Sequence, residues 1–222
     1  MRSFINPKCT RAAAGGTLLI AALGFAGTAQ AELEFNVGVF SDYLDDGESG
    51  SDNNAVVQGG VDYFHDSGFY LGTWMSTLGS GDGQEVNLYT GYELNAGALD
   101  FDLAYVYYYF PSLDDEDSGE IQAYASFGPV YAGLDYTIHA DDSDARGDII
   151  WRVGAGHEIV PSIGLDGEIG YFDPDSSDVD SHTFWNLGVT KSTDLGDISL
   201  TYGSTDQSGS QDLFVVGYSV RF

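Results

Sequence analysis

The clearest chemical signal in this sequence is a set of acidic side chains that alternate with apolar ones. Successive side chains of a strand point to opposite faces, so Asp100 and Asp102 face away from Leu99, Phe101 and Leu103. The same alternation predicts one inward-facing charged set: Glu34, Asp62, Glu85, Glu93, Asp100, Asp102, Glu120, Asp135, Glu158, Asp166 and Glu168, with the cations Arg152 and Arg221. Carboxylates arranged around water favour cations. The expected chemistry is therefore electrostatic selection.

Covalent chemistry has a weaker basis in the sequence. His139 and His182 lie near Ser143 and Ser181, which is the minimum that a lipid hydrolase of the outer leaflet would need. Neither histidine belongs to a Gly-x-Ser-x-Gly motif with its partners. We therefore expect no enzyme activity, no catalytic residue and no cofactor, and keep a lipid hydrolase as the less favoured alternative.

An acidic segment near residue 175 raises a third possibility. Asp173, Asp175, Asp178 and Asp180 resemble the spacing of ligands for a hard cation, but the segment lacks the glycine and final glutamate of an EF-hand loop. No metal site is predicted. A non-conducting surface barrel, which acts in adhesion or binds cations through acidic loops, stays open as an alternative.

The elements that would position these side chains are short two-faced strands. Alternating segments recur between turn-rich pieces and predict an antiparallel up-and-down transmembrane β-barrel of about twelve strands. The segments are Phe35–Val39, Ala55–Tyr63, Phe69–Met75, Val86–Leu94, Leu99–Tyr109, Ile121–Phe127, Val130–Ile138, Ile149–Ala155, Ile163–Tyr171, Thr183–Val189, Ile198–Tyr202 and Asp212–Phe222. The alternative with the same alternation is a soluble sandwich of two sheets.

The connections favour the barrel. Short links such as 65–68 and 128–129 alternate with longer polar ones such as 44–54 and 111–119. Outer-membrane barrels have short periplasmic turns and longer outer loops, whereas a sandwich has no reason to alternate them. Tyr43, at the outer end of the first strand, is assigned to an aromatic belt at the lipid boundary.

The interior of such a barrel is expected to be wet. Twelve strands lie between the side-chain-filled barrels of eight and the open channels of sixteen or more, and carboxylates buried without partners would be costly. A set of glycines shares the inward face and is expected to leave room there: Gly60, Gly72, Gly91, Gly133, Gly154, Gly170 and Gly188. The resulting hypothesis is a porin-like channel for passive diffusion of small solutes or ions, with a preference for cations.

The two ends of the chain indicate export and membrane assembly. Residues 1–31 have a basic start, an apolar run and the small residues Ala29-Gln30-Ala31, which predicts a signal peptide before a single barrel domain, 32–222. The last strand ends on alternating aromatics, Tyr218 and Phe222. It resembles the closing strand of bacterial outer-membrane barrels, and the resemblance implies that these residues form the signal for the barrel assembly machinery.

Charge restricts the partners further. Removal of the predicted leader takes three of the seven basic residues and no acidic one, so residues 32–222 carry 4 − 35 = −31. Four scattered cations cannot form a basic patch, which excludes nucleic acid as a partner. The expected partners are outer-membrane lipid, the assembly machinery and small solutes or cations, and the expected location is the cell outer membrane. The sequence does not predict an oligomeric state.

A family resemblance appears in the first half of the chain. The segments 41–43, 55–63 and 67–74, followed by Glu85–Tyr92 and Tyr107–Pro111, resemble the N-terminal signature of the TorF family, whose members are regarded as porins. The resemblance covers residues 41–111 and implies an outer-membrane barrel with a pore. Family members carry an aromatic-Arg-Gly sequence after the first strand, where this chain has Asp45-Asp46-Gly47.

Overall fold

The structure is a computed structural model that describes residues 32–79 and 81–222. Fourteen strands follow in chain order. They are β1 (Glu32–Phe40), β2 (Leu44–Asp45), β3 (Glu48–Ser49), β4 (Val56–Phe64), β5 (Phe69–Thr77), β6 (Gln84–Ala96), β7 (Leu99–Tyr109), β8 (Ser118–Phe127), β9 (Val130–Ala140), β10 (Ile149–Val160), β11 (Ile163–Asp173), β12 (His182–Thr193), β13 (Gly196–Thr205) and β14 (Leu213–Arg221). The predicted leader and Cys9 lie outside the described residues.

Twelve of these strands close into one antiparallel barrel. Each barrel strand pairs with its neighbours in the chain, and β1 pairs with both β4 and β14. At the closure, Phe35 and Phe222 exchange backbone hydrogen bonds of 2.9 and 3.0 Å, and their rings stack 6.0 Å apart. The predicted strand number and antiparallel topology are confirmed, and the two-sheet sandwich is excluded.

The outer face of the barrel is apolar. Leu103, Leu187 and Phe214 are 57%, 54% and 69% exposed, although each lies in a regular strand. Apolar residues alternate with inward-facing polar ones along every strand of a membrane barrel, so this exposure marks the surface that faces lipid. In the part of the chain that is described, no helix is long and apolar enough to cross a membrane.

Short turns lie at one end of the barrel and longer loops at the other, as predicted. The turn between β4 and β5 depends on Gly68, which has φ +95° and would place a Cβ 2.2 Å from the carbonyl oxygen of Glu93. Between β9 and β10, a 3-10 turn covers Ser143–Ala145 and begins after Asp142, which caps it. The expectation that the short turns face the periplasm stays a prediction.

The first long loop departs from the expectation that it lies outside. Residues 42–51, which we call the lumen hairpin, fold into the barrel with β2 and β3 as its two strands. Asp46 and Gly47 form its tip with φ +44° and +85°. An Asp-Gly pair with two positive φ angles is the preferred two-residue hairpin turn. The hairpin enters the lumen because it carries large apolar side chains, Tyr43 and Leu44, which are 2% and 7% exposed there.

Candidate functional site in the barrel lumen

Strand pairing places the predicted charged set on the inward face. Opposite Glu34 lies Asp62, and the same row of paired residues continues through β5, β6 and β7 to Glu120. A second row joins Glu93 and Asp102 to Arg152. The remaining predicted residues lie in parallel rows: Glu85, Asp100, Asp135, Glu158, Asp166, Glu168 and Arg221. Whether these residues line a conducting pore stays a prediction.

Arg152 is the centre of the largest charge cluster in the lumen. Its Nε donates to Asp135 at 2.7 Å, and its Nη1 also lies 3.2 Å from Glu168. Nη1 and Nη2 donate to the two oxygens of Asp46 at 2.7 and 2.9 Å. The guanidinium, 4% exposed, lies 5.0 Å from the centre of the Phe184 ring. Three carboxylates around one arginine leave the cluster with a net charge of 1 − 3 = −2.

Tyrosine hydroxyls donate to six of the lumen carboxylates, two of which, Asp135 and Glu168, also pair with Arg152. A phenol donates one hydrogen bond, and an ionised carboxylate only accepts, so each pair satisfies a buried polar group. The pairs are Tyr43–Glu85 at 2.8 Å, Tyr70–Asp102 at 2.7 Å, Tyr89–Asp62 at 2.6 Å, Tyr108–Glu120 at 3.0 Å, Tyr124–Asp135 at 2.7 Å, and Tyr131–Glu168. The carboxylates are thereby fixed in position by neutral partners, which do not cancel their charge.

The room expected beside the inward glycines is occupied by rings. A Cβ added to Gly72 would lie 2.5 Å from the Tyr89 ring, and one added to Gly154 would lie 2.4 Å from the Tyr131 ring. The rings of Tyr70, Tyr124 and Phe184 cover Gly91, Gly133 and Gly170 in the same way. The prediction that these glycines leave space was wrong, because a glycine lets the ring on the next strand lie flat against the sheet.

The lumen hairpin is cross-linked internally by hydrogen bonds. Asp42 accepts from the hydroxyls of Ser49 and Ser51 at 2.6 and 2.8 Å, and from the backbone N–H of Tyr43 at 2.8 Å. The backbone N–H of Gly50 donates to the carbonyl of Tyr43 at 2.7 Å. These contacts join residues of the same hairpin and hold its shape independently of the barrel wall.

The hairpin also contacts the barrel wall and the loop before β14, where Glu48 accepts a hydrogen bond from Ser210. Tyr43 packs on Trp74 with a ring separation of 5.7 Å, so its assignment to a lipid-facing belt was wrong. Leu44 packs against Leu213 and Val215. At the tip, a Cβ on Gly47 would lie 2.4 Å from the carbonyl oxygen of Ser204, so only glycine fits there. Together with the Asp46–Arg152 pair, these contacts hold the hairpin across the lumen.

Several acidic side chains lie close together where the hairpin approaches the wall. Asp45 lies outside the membrane-spanning strands, and burial in the lumen raises the pKa of its carboxyl well above the ordinary value. The neighbouring charges of Asp46, Glu85 and Glu120 raise this pKa further, while Arg152 lowers it. The docked hairpin therefore binds a proton at Asp45 more tightly than a hairpin in water would.

A cavity with a volume of about 80 Å³, lined by both polar and apolar side chains, lies beside the base of the hairpin. This is room for about five water molecules, at some 15 Å³ for each probe-sized position. Carboxylates, hydroxyls and amides of several strands line the cavity, among them Asn36, Gln58, Asp166, Thr201 and Arg221. Asp197, which also lines it, was missed because the predicted segment began at Ile198, whereas β13 begins at Gly196.

The residues proposed for other chemistry are not assembled into a site. The Nε2 of His139 is 2.8 Å from the Tyr105 hydroxyl, and the ring of His182 lies 5.0 Å from that of Phe172. The acidic segment is tied to the preceding loop, since the backbone N–H of Asp175 donates to Asp148 at 2.9 Å. Within residues 32–79 and 81–222, no group of three or more potential ligands is arranged to hold a metal ion.

The closed barrel, its apolar outer face and its charged interior define a transmembrane β-barrel of the porin type. The chain belongs to a bacterial protein family of unknown function, Gcw_chp, whose family model matches residues 25–220. The match does not carry the TorF name, which stays a resemblance. No curated protein matches the sequence.

Solved structures agree with the fold. The KdgM porin superimposes with a TM-score of 0.59 and 8% identity, over 85% of this chain and 98% of its own. A structure from work on the in-meso crystallization of membrane proteins superimposes with a TM-score of 0.56 and 11% identity, over 86% of this chain and 83% of its own. At such identities the similarity establishes the fold alone.

Proposed function

We propose that this protein is a narrow outer-membrane channel for passive diffusion of small solutes or ions, with a preference for cations. The observation that carries the proposal is the excess of carboxylates over arginines on the inward face. The hairpin adds the carboxylate of Asp46 to that excess, beside Arg152. Rings of acidic side chains are a known basis of cation preference in pores.

The contacts of the carboxylates support this sign of selectivity. Arg152 is already outnumbered by Asp46, Asp135 and Glu168, so it offers no free positive charge to an anion. Asp62 and Asp102 each accept a hydrogen bond from a tyrosine, which fixes the carboxylate without adding positive charge. In a low-dielectric wall, the resulting negative potential raises the local concentration of cations.

The packing of the lumen supports a restriction on size. The hairpin crosses the barrel, and tyrosine rings lie against the wall where glycines had suggested space. The cavity of about 80 Å³ is much smaller than the 300–1,000 Å³ typical of pockets for drug-sized ligands. Ions and the smallest polar solutes are therefore the proposed cargo.

Membrane insertion is part of the same proposal. The last strand pairs with β1 and completes the barrel, with Phe222 stacked on Phe35 and Tyr218 on the lipid face. We infer that this strand is the segment handled by the barrel assembly machinery, and that lipid covers the apolar outer face.

Planar bilayers test the channel. Refolded protein is expected to give discrete conductance steps and, in a KCl gradient, a reversal potential of the cation-favouring sign. The double variant Asp166→Asn/Asp197→Asn, which neutralises the cavity, is expected to shift that potential towards zero. A matched control, Asp114→Asn/Asp115→Asn, makes the same charge change in the loop after β7 and is expected to leave it unchanged. A lack of steps, or an anion-favouring potential in the unmodified protein, contradicts the proposal.

A further inference from the structure

The lumen hairpin has a self-contained fold and is attached to the rest of the barrel through Tyr43, Leu44, Asp46 and Glu48. Its shape is fixed by its own hydrogen bonds, in which Asp42 joins Ser49 and Ser51. Its ion pair with the wall is made by Asp46, whose side chain is still 24% exposed. Two further hydrogen bonds attach it: Tyr43 donates to Glu85 at 2.8 Å, and Glu48 accepts from the hydroxyl of Ser210. A unit of this kind can leave the lumen without unfolding.

The electrostatics of Arg152 permit such a departure. A buried arginine that loses its partner is strongly destabilised. Here Asp135 and Glu168 belong to the wall strands β9 and β11 and stay with Arg152 when Asp46 leaves. Arg152 therefore remains neutralised in both positions of the hairpin. Asp46 can therefore move away, because Asp135 and Glu168 still balance the positive charge of Arg152.

We propose that the lumen hairpin is a displaceable plug, and that the Asp46–Arg152 pair is the latch that holds it in the closed position. Residues 41–55 join the outer ends of β1 and β4, so a released hairpin lies in the outer mouth of the barrel. Its withdrawal empties the lumen of Tyr43, Leu44 and the charged tip. The inference rests on the proposed channel for its conductance readout, but the position of the hairpin can be measured without any conduction.

A disulfide can lock the hairpin in place. The Cγ of Leu44 lies 3.1 Å from the Cβ that a side chain at residue 203 would carry. A cysteine sulfur at the Cγ position would then be roughly 3 Å from the far Cβ, as disulfide geometry requires. The pair Leu44→Cys/Gly203→Cys is therefore expected to oxidise without movement of the backbone. Cys9 is the one native cysteine in the sequence and is replaced by serine in every variant.

Conductance is measured first, for Asp46→Asn alone and in the cysteine-pair background. Loss of a charge-assisted pair is expected to raise the ratio of open to closed channels about tenfold. Oxidation of the cysteine pair is expected to reverse this gain, and reduction to restore it. Asp52→Asn removes the same charge from an exposed position of the loop and is expected to behave as the unmodified protein.

Thiol labelling gives a readout that needs no conduction. In the Leu44→Cys single variant the thiol is buried, since Leu44 is 7% exposed. Adding Asp46→Asn is expected to raise the rate of labelling by a water-soluble maleimide about tenfold, by the same shift of the equilibrium. Adding Asp52→Asn is expected to leave the rate unchanged.

The two readouts separate the two proposals. Faster labelling with no conductance in any variant supports the latch and contradicts the channel. Conductance in all variants, with the Asp46→Asn values equal to those of Asp52→Asn in both assays, contradicts the latch and leaves the channel intact. A conductance gain that oxidation does not reverse also contradicts the plug, because the gain then comes from the lost charge alone.

Discussion

Replacing Gly154 by alanine is expected to destabilise the barrel, because the Tyr131 ring occupies the space beside that glycine. A Cβ at residue 154 would lie 2.4 Å from both Cζ and Oη of Tyr131. Real Cβ contacts are not that short, so the ring must move. Its hydroxyl donates to Glu168, which also pairs with Arg152 at 3.2 Å. The substitution therefore disturbs the charge cluster as well as the packing.

The magnitude follows from two separate losses. Forcing an extra carbon into a packed site costs about 1–3 kcal/mol. Moving the hydroxyl off Glu168 costs a hydrogen bond to a charged group, about 1.5–3 kcal/mol. The sum predicts that Gly154→Ala lowers the free energy of unfolding by about 2.5–6 kcal/mol. A substitution at a glycine of the same face that has free space beside it is expected to cause neither overpacking nor the loss of a hydrogen bond.

Gly164 supplies that control, since nothing lies within 4 Å of its added Cβ. The assay is urea unfolding of the refolded barrel in detergent micelles, followed by tryptophan fluorescence. Gly164→Ala is expected to change the free energy of unfolding by less than about 1 kcal/mol. In a Tyr131→Ala background, Gly154→Ala is expected to lose most of its effect. If Gly154→Ala and Gly164→Ala have the same cost, or the background makes no difference, the account of the ring and glycine is wrong.

The other predictions concern pH, the lipid face and barrel closure. Because docking of the hairpin raises the pKa of Asp45, acidification favours the docked form. Single-channel conductance is therefore expected to fall as the pH is lowered towards the ordinary aspartate pKa of about 3.9, and Asp45→Asn is expected to remove that fall. A rise on acidification would have the opposite sign and would contradict this linkage. Leu103→Arg in the middle of the lipid face is expected to lower the free energy of unfolding in vesicles by about 2–4 kcal/mol, and Leu195→Arg at a turn by about 0–1 kcal/mol. Equal losses for the two variants would show that β7 does not face lipid. Phe222→Ala removes the stack with Phe35 and is expected to cost about 1 kcal/mol in the same assay, and a neutral result would show that the stack contributes nothing to closure.

The fold was largely predictable because every barrel pairing except the closing one, between β1 and β14, joins consecutive barrel strands of the chain. β7 has the predicted bounds, Leu99–Tyr109, since its alternation is uninterrupted and both ends are marked by turns. In an up-and-down barrel each strand pairs with the next, so the order of strands required no long-range information. The closing contact between β1 and β14 then follows from geometry once the sheet has enough strands to curl.

The interior was only partly predictable. Period-two alternation assigns a side chain to one face of the sheet, and it separates Asp102 and Asp135, which are 7% and 1% exposed, from their exposed apolar neighbours. It does not say what fills the space between them. Tyr124 and Gly133 are paired on neighbouring strands, and the ring of one covers the other. A search for inward tyrosines opposite inward glycines would have found this packing, but the glycines alone suggested empty space.

The position of the lumen hairpin could not be predicted from the alternation of side chains. Asp45-Asp46-Gly47 indicates a tight hairpin tip, and Arg152 is one of two inward cations and needs a carboxylate, so both halves of the contact are visible in the sequence. Their pairing is not visible, because 106 residues separate them and several inward carboxylates compete for the same arginine. The choice depends on the length of the loop and on Tyr43 and Leu44, whose burial draws the hairpin inward. A loop of the same charge without those two side chains would gain little from entering the lumen, and Asp46 would then lie in the solvent, away from Arg152.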